Sequence, residues 1–159
     1  MKTLDISTKP GGSPVSQARR CYQPPDRVHL AELIASVRPD ALVLQPGTSE
    51  EVSAPLDPST FYLSVAPYRD ATHPCEMHSL TTCLGEMRDT EIGVRVADAT
   101  TGEVLIDRRQ RTADNGFAGL WLPRDRELRV SVEAGGDTGE AVVRTGSDDP
   151  TCLTEIRLG

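Results

Sequence analysis

Five residues that could bind a soft metal ion lie within one short segment, THPCEMHSLTTC, at positions 72–83. They are His73, Cys75, Met77, His78 and Cys83. The chain has only three histidines and four cysteines, so most of its soft ligands are concentrated in this segment. Thiolate, thioether and imidazole groups together suit Cu(I) or Zn, and a larger share of nitrogen suits Cu(II). The same cysteines could instead form a structural disulfide, with the two histidines as bystanders.

The spacing within this segment allows its ligands to converge but does not force them to. Pro74 disfavours the α region for His73 and therefore predicts an extended backbone there. In an extended segment His73, Cys75 and Met77 point to one face, because side chains alternate with a period of two. His78 then points to the other face unless the chain turns at that position.

A further thiol must be brought in by the fold. Cys83 lies eight residues beyond Cys75, which leaves room for one loop or a reversal of the chain. Cys152, in the sequence DDPTCL, lies far away along the chain. The spacing differs from that of paired zinc-finger ligands, and the chain contains no CxxC, P-loop, GxGxxG or GxSxG motif. The residues of a blue-copper site, which are two histidines, one cysteine and a weak axial ligand, are present in the sequence. An electron-transfer role is therefore a minor alternative.

Four stretches of the chain resemble the CueP family of periplasmic copper-binding proteins, and the likeness covers residues 28–159. These stretches are LIASVRPDALVL at 33–44, FYLSVAPYRDATHPCEMHSLTTCLGEM at 61–87, NGFAGLWLPRD at 115–125 and TGSDDPTCLTEIRL at 145–158. The resemblance implies an exported protein that binds Cu(I) or Cu(II) and supports copper tolerance, sequestration or delivery. The metal ligands that it implies are Cys75, Cys83, Cys152, His73 and His78.

The resemblance also directs expectations about redox chemistry. We predict that two of the three sulfurs of Cys75, Cys83 and Cys152 form a disulfide. The expected pair is Cys83–Cys152, because both residues follow threonine and belong to the family motifs. Two thiols can reduce Cu(II) while they become a disulfide. If His73 and His78 capture Cu(II), binding should be lost as the pH falls through about 6.5, where free histidine titrates. The expected partners are a copper ion and either a copper-recipient protein or a thiol–disulfide oxidoreductase.

Composition excludes several classes of partner. The net charge is −7 with a pI near 4.9, which argues against nucleic acid and anionic lipid as ligands. No apolar run approaches the ~20 residues that a membrane helix requires. The N-terminal sequence MKTLDISTKPGGSPVSQ has no apolar core of a signal peptide. With the family resemblance, we expect a periplasmic or extracytoplasmic protein whose export signal is absent from this chain.

The elements around the cluster predict an α+β protein. Residues 1–25 indicate a flexible arm, which contains the fourth cysteine, Cys21. Residues 26–56 indicate a small helical segment, because 26–38 place apolar side chains at helical spacing before Pro39.

Residues 57–159 carry six to eight short alternating strands, for example at 61–67 and 91–98, which predict an antiparallel β-sandwich or open barrel that holds the Cys/His cluster. The favoured function is copper binding without a catalytic role, apart from thiol-dependent copper reduction. A disulfide-stapled extracytoplasmic interaction domain without metal, and a thiol-redox enzyme, stay open as alternatives. The oligomeric state is not predicted.

Overall fold

The computed structural model of the protein describes residues 33–159, and within them the regular elements are all β-strands. No helix in this part of the chain has the length and apolar character needed to cross a membrane. The strands are β1 (Ala35–Val37), β2 (Ala41–Leu44), β3 (Val52–Pro55), β4 (Thr60–Val65), β5 (His78–Ser79), β6 (Glu91–Asp98), β7 (Val104–Arg111), β8 (Ala118–Pro123), β9 (Glu127–Ala134), β10 (Asp137–Arg144) and β11 (Cys152–Leu153).

These strands form three sheets. The first has the order β3-β2-β1-β5, the second β10-β9-β6-β7 and the third β11-β4-β8. Every pairing is antiparallel except that of β11 with β4, which is parallel. The predicted strands at 61–67 and 91–98 are confirmed as β4 and β6, whereas β2 and β3 lie within residues 26–56, where the sequence predicted a helical segment.

The third sheet is buried on both faces and separates two hydrophobic clusters. Its Phe61, Leu63 and Val65 join the larger cluster, against the alternating apolar residues of β6 and β9. On the opposite face Tyr62 and Trp121 pack against the first sheet, with ring centroids 5.0 Å apart. Full burial of a Val, Leu or Phe side chain contributes about 1.5–3 kcal/mol to the free energy of folding. The apolar side chains on both faces therefore hold the third sheet against its neighbours.

The predicted α+β class is wrong for the described residues. Where the sequence predicted a helix over 26–38, residues 35–37 form strand β1, and residues 26–32 lie outside the described part. Ala35 and Val37 are buried at a spacing of two, while Ile34 is 42% exposed. β1 pairs with β2 on one side and β5 on the other. Periodicity alone cannot assign so short an apolar run to a helix or a strand, and here the pairing on both sides makes it a strand. The arm at 1–25 lies outside the described part, and the division at residue 57 stays a prediction.

Candidate metal centre

Three segments of the chain meet beside the third sheet and bring four potential ligands together. The ligand atoms of Cys75, His78, Cys83 and Cys152 all lie within 4.8 Å of one another. Cys75 lies in the loop between β4 and β5, His78 begins β5, Cys83 follows β5 and Cys152 begins β11. The convergence therefore depends on two short strands, each held at the edge of a different sheet.

Two of the three sulfurs form a disulfide, as predicted, but the pair is different. Cys75 and Cys152 are bonded, with Cα atoms 5.6 Å apart, and Cys83 is free. The predicted Cys83–Cys152 pair is therefore wrong in this structure. The Cys83 Sγ lies 3.6 Å from the Cys75 Sγ and accepts a hydrogen bond from the Ser79 N–H at 3.4 Å. Because both Cys75 and Cys83 approach Cys152, their sequence contexts could not decide which one is bonded.

His78 is almost completely enclosed, with 1% of its surface exposed. Its Nδ1 lies 3.7 Å from the Cys152 Sγ, and its ring centroid lies 4.4 Å from that of Phe117. Burial, with a smaller contribution from the charge of His73, lowers the pKa of His78 from 6.5 to about 3. The imidazole is therefore neutral at physiological pH and able to donate a lone pair to a metal. With a pKa of about 3, His78 should lose its metal-binding ability by protonation only far below pH 6.5, so the predicted pH dependence would have to come from His73.

Thr151 fastens the strands that carry the ligands. Its Oγ1 donates to the Val37 carbonyl at 2.5 Å and accepts from the His78 N–H at 3.0 Å. Its own N–H donates to the Glu76 carbonyl at 3.0 Å. This fully buried hydroxyl ties β1 and β5 to the start of β11. Thr151 was not among the predicted site residues, although it lies directly before Cys152 in the DDPTC motif.

The remaining predicted candidates lie outside the group of four. His73 is half-buried, and its ring centroid is 6.2 Å from that of Phe117, which also contacts His78. Met77 is half-buried, and its Sδ lies 3.9 Å from the Thr151 hydroxyl. Cys21 lies outside the described residues.

Glu86 holds the loop that leads into the cluster. Its carboxylate accepts hydrogen bonds from the backbone N–H groups of Arg69 at 2.6 Å, Asp70 at 3.3 Å and Ala71 at 3.1 Å. The bond from the Arg69 N–H is the main cause that lowers the pKa of Glu86. Thr72, which follows Ala71 in the chain, donates a hydrogen bond from its hydroxyl to the Thr154 carbonyl at 2.6 Å. The backbone just before Cys75 is thus attached to the segment that contains Cys152.

We expect Glu86→Ala to loosen this loop. The amides of Arg69, Asp70 and Ala71 lose their acceptor, so their hydrogen exchange should accelerate about tenfold or more. Hydrogen exchange followed by NMR measures this rate for each amide. Glu103→Ala, which removes an exposed carboxylate from the β6–β7 turn, should leave these rates unchanged. Equal exchange in Glu86→Ala and the wild type would contradict the assigned role.

An open, acidic groove runs beside the disulfide. Its lining includes Cys75 and Cys152 together with the acidic side chains of Glu76, Asp149 and Glu155. Negative charge along a groove raises the local concentration of cations. With four carboxylates against the one guanidinium of Arg144, the lining of the groove favours cations beside the disulfide.

Two comparisons with known proteins point to the same family. A family model described as "Periplasmic copper-binding protein CueP" matches residues 23–157. A solved structure titled "Crystal Structure of S.CueP" is similar to this chain, with 36% sequence identity and a TM-score of 0.82. The similarity covers 94% of this chain and 91% of that chain. A search of curated proteins finds no match.

Proposed function

Because the chain belongs to the CueP family of periplasmic copper-binding proteins, we propose that it holds its copper at Cys75, His78, Cys83 and Cys152. One observation carries this assignment: the four ligand atoms lie within 4.8 Å of one another. A group this compact can surround a single ion. His73 lies outside it, across the ring of Phe117, and we propose an outer role for it, in capturing Cu(II) before the ion reaches the sulfurs.

The donor set favours Cu(I) once the disulfide is opened. Thiolates are soft ligands that select Cu(I), and a neutral imidazole adds one nitrogen. His78 is suited to this role because burial keeps its pKa far below physiological pH. Among the three cysteines of the described residues, only Cys83 keeps a free thiol in the disulfide form, so the reduced site offers three thiolates where the oxidised site offers one.

The same sulfurs can supply electrons to copper. When Cys75 and Cys152 form their bond, two thiols release two electrons and two protons. Two Cu(II) ions take up one electron each and become two Cu(I) ions. The Cys83 thiolate and the His78 imidazole are then the donors that stay available to Cu(I). A second cycle requires an external dithiol to reduce the disulfide, which is the role we propose for a thiol–disulfide oxidoreductase partner. A separate copper-recipient protein would take the Cu(I).

We expect the fully reduced protein to bind about one Cu(I), as a single compact thiolate site should. The measurement is a competition titration against a chromogenic Cu(I) chelator under anaerobic conditions. The control is the same protein after mild oxidation, with the Cys75–Cys152 bond verified by peptide mapping.

The oxidised protein should lose the competition to the chelator, because two of the three cysteine sulfurs of the proposed site are no longer thiolates. Equal retention by both forms would show that the sulfurs do not hold the ion. No retention by the reduced form would favour a disulfide-stapled domain without a metal.

A further inference from the structure

The hydroxyl of Ser64 is buried without a partner. Ser64 lies in the middle of β4, with 1% of its surface exposed. Its Oγ has no hydrogen-bond partner among the described residues. Buried hydroxyl groups in folded proteins almost always have a partner, since burying an unpaired one is unfavourable. The exception makes the Ser64 hydroxyl a candidate for a hydrogen bond that forms in another state of the protein.

The side chain of Ser64 lies on the face of the sheet that carries Cys152. Along β4, Leu63 and Val65 point into the larger hydrophobic cluster, so Ser64 between them points to the opposite face. In the parallel pairing, Leu153 lies beside Val65 and also belongs to the larger cluster. Cys152 lies beside Ser64 and therefore shares its face.

Cys152 is the polar neighbour that this register places next to Ser64. On the other side of β4 the partner is Gly119, which has no side chain; the Tyr62 hydroxyl lies beside this glycine but makes no hydrogen bond with Ser64. Along the same face of β4 the flanking residues are Tyr62 and Ala66. Neighbouring strands lie about 4.8 Å apart, so a side chain on each can meet across this distance.

The state of the sulfur explains why no hydrogen bond is formed in the disulfide. The Cys152 Sγ is bonded to Cys75, which fixes its direction, and a disulfide sulfur is a weak acceptor. When the bond is reduced, the side chain of Cys152 is free to rotate. A thiolate is a charged acceptor, and hydrogen bonds to charged groups are markedly stronger than those to neutral groups.

We propose that Ser64 is a positioning residue of the copper centre, whose hydroxyl donates a hydrogen bond to the Cys152 sulfur after the disulfide opens. This inference rests on the proposed role of Cys152 as a ligand. The bond stabilises the reduced form selectively and orients the sulfur toward the other donors. Ser64 thereby favours the thiol form that accepts copper.

The test is the equilibrium of copper-free Ser64→Ala with reduced and oxidised glutathione. We expect the equilibrium constant to shift about tenfold toward the disulfide, which corresponds to a potential about 30 mV more negative for a two-electron couple. Acid trapping followed by mass spectrometry measures the thiol and disulfide populations. The thermal stability of oxidised Ser64→Ala should equal or exceed that of the oxidised wild type, because alanine removes a buried hydroxyl that has no partner there.

Ser131→Ala is the matched control, since Ser131 lies in β9 of the second sheet. It should leave the glutathione equilibrium unchanged. An unshifted equilibrium in Ser64→Ala, or a loss of stability in its oxidised form, would overturn the inference. Because copper is absent from this experiment, such a failure is distinct from failure of the copper site, which the reduced wild type would reveal by releasing Cu(I) to the chelator.

Discussion

Reduced Cys83→Ser is expected to bind Cu(I) about a hundredfold more weakly than the reduced wild type. Loss of a residue that only orients a metal ligand already costs about 10–100-fold in affinity, and here a thiolate donor itself is removed. The serine hydroxyl can still accept the hydrogen bond that the Ser79 N–H now donates to the sulfur, so the local backbone should persist. Competition with a Cu(I) chelator measures the affinity.

Cys21→Ser is the matched control, because no metal role is assigned to Cys21. It should retain the wild-type affinity. The Cys75–Cys152 disulfide should still form in oxidised Cys83→Ser, since Cys83 is not part of that bond. If Cys83→Ser instead held Cu(I) as tightly as the wild type, the free thiol would not be a ligand.

The copper-free wild type should lose stability in mild acid because of His78. Its pKa lies at about 3 in the folded protein and 6.5 in an unperturbed chain. Below about pH 6.5 the unfolded chain therefore takes up a proton that the folded protein does not bind. The stabilisation is fully present above pH 6.5 and declines as the pH falls toward 3. Between about pH 7 and about pH 5 the loss should amount to about 2 kcal/mol.

The His78 contribution can be separated from that of the carboxylates by substitution. Between about pH 7 and about pH 5, the free energy of unfolding should fall by about 2 kcal/mol less in His78→Gln than in the wild type, because glutamine does not titrate. His73→Gln is the comparison variant, because it removes the neighbouring imidazole and leaves His78 in place. Denaturant unfolding at both pH values gives the two free energies. An identical slope in His78→Gln and the wild type would mean that His78 is not held neutral by burial.

Local sequence determined the chemistry of the site. The density of cysteine and histidine in residues 72–83 predicted a soft-metal centre, and the family resemblance predicted copper in the periplasm. The family match over residues 23–157 and the similar solved structure confirm periplasmic copper binding, while copper reduction by the thiols stays a prediction. Long alternating strands such as β6 were also predictable, because one buried face imposes a period of two on the sequence.

Tertiary structure alone decided how those residues meet. The segment at 35–37 is a strand because β2 and β5 pair with it from both sides, which no local pattern reveals. Cys152 reaches the cluster through a parallel pairing with β4, and Cys75 rather than Cys83 is bonded to it. Burial, a property of the assembled sheets, keeps His78 neutral and leaves the Ser64 hydroxyl unpaired. Residue type thus sets which bonds a side chain can form, whereas the packing of distant strands sets its neighbours and its exposure to water.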